Sequence, residues 1–299
     1  MIYIYILTIL LLLLTAAGYY LSKKSLNPKT WDYKESYQAE VEKGNFDEKW
    51  FKNLRGEDVY IDSDEGFRLH GIWYKTEGAE KSVILSHRDS FTLYGSVKYM
   101  KMFLDRRFNV LLIDQRYHGL SEGKICTMGH REKIDHVRWV TWIEKRMGQD
   151  HVIGTHGESM GASTILMHGA IDDRVKFIIA DCPYQSLYDQ FRYRLKEEFK
   201  LPPFPLLYMT NLFARIRTGA FYKTVSPLEA VKKIKIPVLF IHGNADKSTV
   251  PANSINLHKA KGGPGFLYLA TDGEHAGSYS ADPEKYRKIV YRFLDNSGM

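Results

Sequence analysis

The chain has 299 residues, 44% of them hydrophobic and 26% charged, enough for one large globular domain or two small ones. Its formal net charge of +7 comes without a basic block interleaved with aromatics and without a zinc-finger cysteine pattern. That argues against nucleic-acid binding and leaves a basic, mixed surface that anionic lipid would attract. Cys126 and Cys182 are too few for a disulfide framework.

The first element is "IYIYILTILLLLLTAAGYYL", residues 2–21, with no charged side chain, followed by Lys23 and Lys24. It is long enough to cross a bilayer as a helix. A cleaved signal peptide is the rival reading, with Ala16-Ala17-Gly18 as a loose cleavage site, but no Lys or Arg precedes the apolar run. Residues 1–24 are therefore expected to be a transmembrane anchor in the cell membrane, either retained by design or as an uncleaved signal. The basic side chains after the span favour a cytoplasmic catalytic domain, and the free N-terminal amine opposes it.

Residues 25–55 read as a juxtamembrane connector with a short helix around 34–43. "EDVYIDSDEGFRLHGIWYKTEG" then reads as two strands joined at Asp64-Glu65-Gly66, an extension of a sheet edge. Short apolar runs follow in "SVILSH", "NVLLID", "HVIGTH", "VKFIIAD", "IPVLFIH" and "GFLYLA". Helix-like segments lie between several of them. One carries Ile134, Val137, Val140 and Ile143 as a stripe, and another runs from about Ser159 to Gly169. The alternation predicts an α/β fold over residues 56–299: a mostly parallel sheet with helices on both faces and ligands at the edge where the strands end. Residues 184–225 break the rhythm. Dense in Phe, Tyr, Leu and Met, with Pro202, Pro203 and Pro205, they are expected to form a small helical cap.

"GESMG" places Ser159 between Gly157 and Gly161, with a strand-like run before it and a helix-like run after it. A bare Gly-x-Ser-x-Gly is weak evidence, but this context is that of a nucleophile on a sharp turn. The same turn would present the Met160 backbone N–H to a developing oxyanion. A nucleophilic serine needs a base, and the base an orienting acid. His275 in "DGEHAGSY" and Asp246 in "HGNADKSTVP" each follow an apolar run, in the chain order Ser, Asp, His. Asp181 is the substitute acid should Asp246 face away, and Asp114 has the position of a structural residue. His156 and His242 suggest packing or hydrogen bonding to loops, and His118 the bracing of a loop. No trio is spaced like a zinc site, and no Gly-rich loop resembles a phosphate cradle, so neither metal nor organic cofactor is expected.

Together, "VILSH", "LLIDQRYHGLSEG", "GESMGAS", "IIADCPYQS", "VLFIHGNAD" and "DGEHAGSY" resemble the α/β-hydrolase superfamily over residues 56–296. Within it, the chain is most similar to the membrane-proximal, esterase-like or peptidase-like serine hydrolases of Gram-positive bacteria. The resemblance implies Ser159 as nucleophile, Asp246 as acid and His275 as base, with a second oxyanion N–H from the loop after "VILSH", near Arg88. His87, Glu158 and Tyr184 are expected to line the substrate pocket. The chain departs from the family where His87 is followed by Arg88 rather than glycine, and where Arg116-Tyr117-His118-Gly119 replaces Arg-Gly-His-Gly. Glycine takes backbone angles that are costly for arginine. Arg88 therefore either keeps a compatible backbone or distorts the hole, and its guanidinium either reaches the pocket or pairs with Asp89 or Glu158. The expected reaction is acyl transfer to water from a small-molecule carboxylic ester with an apolar acyl or leaving group. A serine peptidase or amidase acting on short peptides is the alternative, as is a weakened hydrolase-fold binding protein at the membrane.

Overall fold

The computed structural model describes residues 1–299. Three helices come first: α1 (Ile2–Leu26), α2 (Tyr33–Glu42) and α3 (Glu48–Lys52). A hairpin of β1 (Glu57–Asp62) and β2 (Arg68–Tyr74) leads to β3 (Lys81–Ser86), α4 (Val97–Leu104), β4 (Phe108–Ile113) and α5 (Glu132–Met147). The centre of the fold is β5 (Val152–Glu158), α6 (Met160–His168) and β6 (Val175–Asp181). The cap helices α7 (Leu187–Glu197) and α8 (Leu206–Thr218) follow, then α9 (Pro227–Val231) and β7 (Val238–Gly243). The chain closes with α10 (Ala252–Ala260), β8 (Gly265–Ala270), α11 (Ser278–Ala281) and α12 (Pro283–Asn296).

The eight strands form one sheet in the order β1-β2-β4-β3-β5-β6-β7-β8. β2 is antiparallel to both β1 and β4, and every other pairing is parallel. This is the α/β architecture that the alternating apolar runs imply. β4 and β7 are buried at every residue, whereas edge strand β1 buries only Val59. Strands covered by helices on both faces read as unbroken apolar runs, and edge strands do not.

Alternate side chains of each strand feed two cores. Ile84, Leu111, Trp139, Ile165 and Phe240 pack on the face of α5 and α6, while Val83, Leu85, Leu112, Phe103 and Phe293 pack on the face of α4 and α12. Each such side chain, fully withdrawn from water, contributes about 1.5–3 kcal/mol. A third, smaller cluster lies outside the sheet. It joins Leu26 at the end of α1 to Leu195 and Leu207 of the cap and to Met160 beside the elbow serine.

The segment 184–225 holds α7 and α8 and no strand, with the prolines 202, 203 and 205 in the connection between the two helices. α1 is long and apolar enough to cross a membrane, and its residues 1–13 are exposed. Its C-terminal part packs on the cap instead. A Cβ on Gly18 would lie 2.5 Å from the Met209 Cβ, Tyr19 meets the Phe213 ring edge-on at 5.6 Å, and Ser25 Oγ is 2.6 Å from the Tyr222 hydroxyl.

Candidate active site

Ser159 is the hinge between β5 and α6, with φ 54° and ψ −112°. A side chain at positive φ is strained, and only its surroundings hold it there. Those surroundings need both neighbouring glycines. A Cβ on Gly161 would lie 2.4 Å from the Ser86 carbonyl oxygen, and one on Gly157 would lie 2.5 Å from the Gly161 backbone. The Ser159 N–H donates to the Asp181 carbonyl at 2.8 Å, tying the turn to β6.

Three side chains from three loops meet at this turn. Ser159 Oγ lies 2.9 Å from His275 Nε2, and His275 Nδ1 lies 2.7 Å from Asp246 Oδ2. Opposite an ionised carboxylate, Nδ1 carries the proton and Nε2 is left to accept one from the serine. Asp246 sits in the turn after β7, where its Oδ1 accepts the Ser248 and Thr249 backbone N–H groups, both at 2.8 Å. His242 Nε2 stands 3.3 Å from its Oδ2. Burial would raise this carboxyl, but the hydrogen bonds from His242, His275 and the Thr249 amide hold it well below the usual range. Burial likewise opposes charge on His275, yet the hydrogen bond and charge of Asp246 raise the imidazole above its ordinary value. His242 is itself fixed, with Nδ1 2.7 Å from Ser254 Oγ and Nε2 2.5 Å from the Thr249 carbonyl.

Cys182 Sγ lies within 4.8 Å of ligand atoms of Asp246 and His275. Burial pushes that thiol well above its ordinary value, and the Asp246 oxygens are already engaged. A cation there would have to displace the donors that orient His275.

The remaining predicted pocket residues divide. Tyr184 lines the chamber at Ser159, with its hydroxyl donating to the Met128 carbonyl. Glu158 does not reach that wall. It is buried beneath, with Lys98 Nζ at 2.6 Å, Tyr99 Oη at 2.6 Å and Arg88 Nη1 at 3.0 Å. Burial opposes ionisation there, but Lys98 and Arg88 lower the carboxyl to about 2. His87 is also away from the chamber. Its Nε2 accepts the Gln115 N–H at 2.9 Å, and burial lowers the ring to about 3, so it is a neutral brace for the loop after β3.

Arg88 resolves in the direction of Glu158. Its guanidinium lies 3.8 Å from the Phe91 ring centroid and 3.0 Å from Glu158, turned away from the chamber. The positive φ in this loop falls on Ser90, at 64°, and not on Arg88. Arginine thus replaces the family's glycine without entering the backbone region that disfavours it. His118 braces the same loop, its Nε2 accepting the Ser90 N–H at 3.1 Å. The residue of the loop that does line the chamber is Asp89, whose backbone N–H, like that of Met160, donates to no acceptor within the chain.

Asp181 and Asp114 hold other posts. Asp181 accepts from Ser278 Oγ at 2.8 Å, and burial together with nearby Glu158 raises it to about 6. Asp114 accepts the Leu93 and Leu120 N–H groups and the His70 ring.

Lys98 is a site residue for which the sequence carries no spacing signal. Its ammonium bonds both Glu158, next to the elbow, and the Ala276 carbonyl at 3.2 Å, next to His275. It therefore ties the serine turn to the histidine loop.

Residues 92–206 match the family model described as alpha/beta hydrolase fold. The uncharacterised protein YqkD of Bacillus subtilis is 38% identical over 248 residues, which are 82% of this chain and 81% of YqkD. The alpha/beta hydrolase domain-containing protein WAV2 of Arabidopsis thaliana is 23% identical, over 81% of this chain and 80% of that one. Among solved structures, the Pyrococcus furiosus esterase Pf2001 superposes with a TM-score of 0.69 at 25% identity, over 85% of this chain and 95% of the esterase.

Proposed function

The chain belongs to the α/β-hydrolase superfamily, and on that premise we propose that it is a membrane-tethered serine hydrolase that cleaves carboxylic esters with an apolar acyl or leaving group. The observation that carries the reading is the unbroken relay from Ser159 Oγ through His275 to Asp246, at 2.9 and 2.7 Å, on a strained elbow. Ser159 Oγ attacks the ester carbonyl while His275 Nε2 takes its proton. The tetrahedral oxyanion accepts the free N–H groups of Met160 and Asp89. His275 then returns the proton to the departing alkoxide oxygen, leaving an acyl-Ser159. Water enters by the same route, giving its proton to His275 and its oxygen to the acyl carbon, and the carboxylic acid leaves as Ser159 Oγ regains a proton. Asp246 stays ionised throughout and stabilises the imidazolium. Each oxyanion donor is worth on the order of 10²–10³ in rate. Assigning one of them to Asp89 means that Arg88, engaged with Glu158, does not stand in the way. α1 supplies the tether, with Lys23 and Lys24 at the bilayer border.

Labelling with a fluorophosphonate probe tests the reading, with a p-nitrophenyl ester series alongside. Covalent labelling and ester turnover, both abolished in Ser159→Ala, are expected. A folded protein that neither labels nor turns over any ester would remove the serine-hydrolase assignment.

A further inference from the structure

The chamber at Ser159 is small, about 50 Å³, but it does not end there. Asp89, Met128, Phe191 and Arg194 also border a second cavity of about 290 Å³. The far wall of that cavity is built from Leu21 and Ser25 of α1, Leu195 of α7 and Leu207 of α8. A cleft of mostly apolar surface, with Asp89 and Arg194 at its neck, therefore leads from the nucleophile to the end of the helix that is long enough to span a bilayer.

The outer surface beside this cleft has the same character. Phe204, Tyr208, Leu212 and Ile216 recur every four residues at the start of and along α8, and all are exposed, at 72%, 59%, 45% and 69%. One face of the cap helix packs on α1 through Met209 and Phe213, while this stripe extends the exposed apolar surface of α1 onto the catalytic domain. A contiguous patch of this kind on a water-soluble body marks an interaction surface. Its neighbours name the partner. Lys24, its ammonium 5.2 Å from the Phe199 ring centroid, and Lys29 stand at the cleft rim, where an anionic leaflet surface would attract them. The polar counterpart lies on the opposite side of α7. There a cavity lined by Gln190, Arg192, Tyr193 and Lys196 shares Gln190 with the serine chamber.

We infer that the cap lies against the bilayer and that the cleft between α1, α7 and α8 admits the acyl chain of an ester resident in the leaflet, so that the substrate class is long-chain membrane esters. The inference rests on the serine-hydrolase reading above. An acyl chain passing from bilayer to cleft leaves one apolar medium for another, so its extraction costs little. Only the ester group has to reach Ser159.

The test uses the full chain in vesicles of phosphatidylcholine and phosphatidylglycerol, with 4-methylumbelliferyl oleate as the bilayer-resident ester and 4-methylumbelliferyl butyrate as the soluble one. Leu21→Trp, which fills the cleft mouth, is expected to lower oleate turnover relative to butyrate turnover about tenfold, the loss of burial of roughly two methylenes. The rate of fluorophosphonate labelling verifies that the variant is folded. On the unmodified chain, an oleate analogue with a mid-chain diazirine is expected to crosslink within residues 21–29 and 191–210. Unchanged oleate-to-butyrate selectivity in Leu21→Trp, or crosslinks confined to other segments, overturns the inference while butyrate turnover keeps the hydrolase reading intact. Loss of both Ser159 labelling and butyrate turnover in the unmodified chain instead overturns the hydrolase reading and takes this inference with it.

Discussion

The ends of β6 and β7 stand side by side in the sheet, Asp181 paired in register with Ile241, and each leads to a buried aspartate of opposite electrostatic character. Asp181 is still within its strand. Its side chain enters a buried pocket beside ionised Glu158, which raises it to about 6. Asp246 comes after its strand, in a turn whose own backbone turns two N–H groups onto one carboxylate oxygen and leaves the other to the imidazoles of His275 and His242. The topological position is nearly the same, but the donors are not. What suits Asp246 to the acid's part in the proposed mechanism is the turn that solvates its carboxylate, and proximity to a strand end does not supply that.

The sharpest way to break this comparison is to remove the charge from each aspartate in turn. Asp246→Asn is expected to lower kcat on the order of 10⁴-fold, because the neutral amide no longer fixes the histidine tautomer or stabilises the imidazolium. Asp181→Asn is expected to keep most of the activity. Equal losses in esterase assays of the two variants would show that the two strand ends are not functionally distinct.

The cluster beneath Asp181 gives the next effect. Lys98→Met leaves Glu158 with Arg88 and Tyr99 as its remaining donors in a dry site. Removing one partner of a buried pair costs about 3–5 kcal/mol, and the two surviving donors place the expected loss at the low end. Urea unfolding would measure it, and Glu158→Gln in the same background should recover part of it. Full stability in Lys98→Met would mean that the ammonium does not bind the elbow to the His275 loop.

Asp181 itself should leave a signature in stability against pH. Its folded carboxyl is raised from 3.8 to about 6, so the unfolded chain ionises first as pH rises. Relative to Asp181→Asn, the wild-type chain loses stability between about pH 4 and pH 6, by up to about 3 kcal/mol, and the loss is complete above that window. Thermal unfolding of both proteins at pH 4.5 and 7.5 checks the sign. A difference between the two proteins that does not vary with pH would remove the raised carboxyl from the account.

The sheet was legible because strands covered on both faces are buried at every position, as β4 and β7 are, and so read as largely apolar runs. Ser159, Asp246 and His275 stood out because each follows such a run. The sites at which the structure differs share one feature: their roles come from distant partners. Glu158 adjoins the serine in sequence, yet its side chain answers to Lys98 and Tyr99 from α4. Lys98 and Lys101 stand on the same helix, and nothing in the local pattern distinguishes the buried one from the exposed one. His87 resembles a pocket residue until Gln115, from the loop after β4, is seen to bond it. Arg88 in the place of a glycine was visible in the sequence, but the loop carries its positive φ two residues later, at Ser90. The cap was legible as an aromatic interruption, while its union with α1 depends on Gly18 meeting Met209 across most of the chain.

The smallest expected effect is the most specific to the comparison, because it reads the charge of one aspartate through another residue. In the proposed mechanism His275 acts as base only after losing its proton. Burial lowers its pKa, and Asp246, joined by the charges of Glu158 and Asp89, more than offsets this, so the imidazole titrates above its ordinary 6.5. The acid limb of kcat/KM against pH should therefore have its midpoint above 6.5 in the wild-type chain, with activity lost as pH falls through it. In Asp246→Asn the larger part of the offset is gone while the burial remains, and the residual activity should have its midpoint displaced downward. Asp181 does not hydrogen-bond His275, and the charges acting on the imidazole come from Asp246, Glu158 and Asp89, so Asp181→Asn should leave the limb in place. A limb that moves with Asp181 and not with Asp246 would reverse the assignment of the two strand ends. A limb that moves with neither would mean that the group titrating in the profile is not His275.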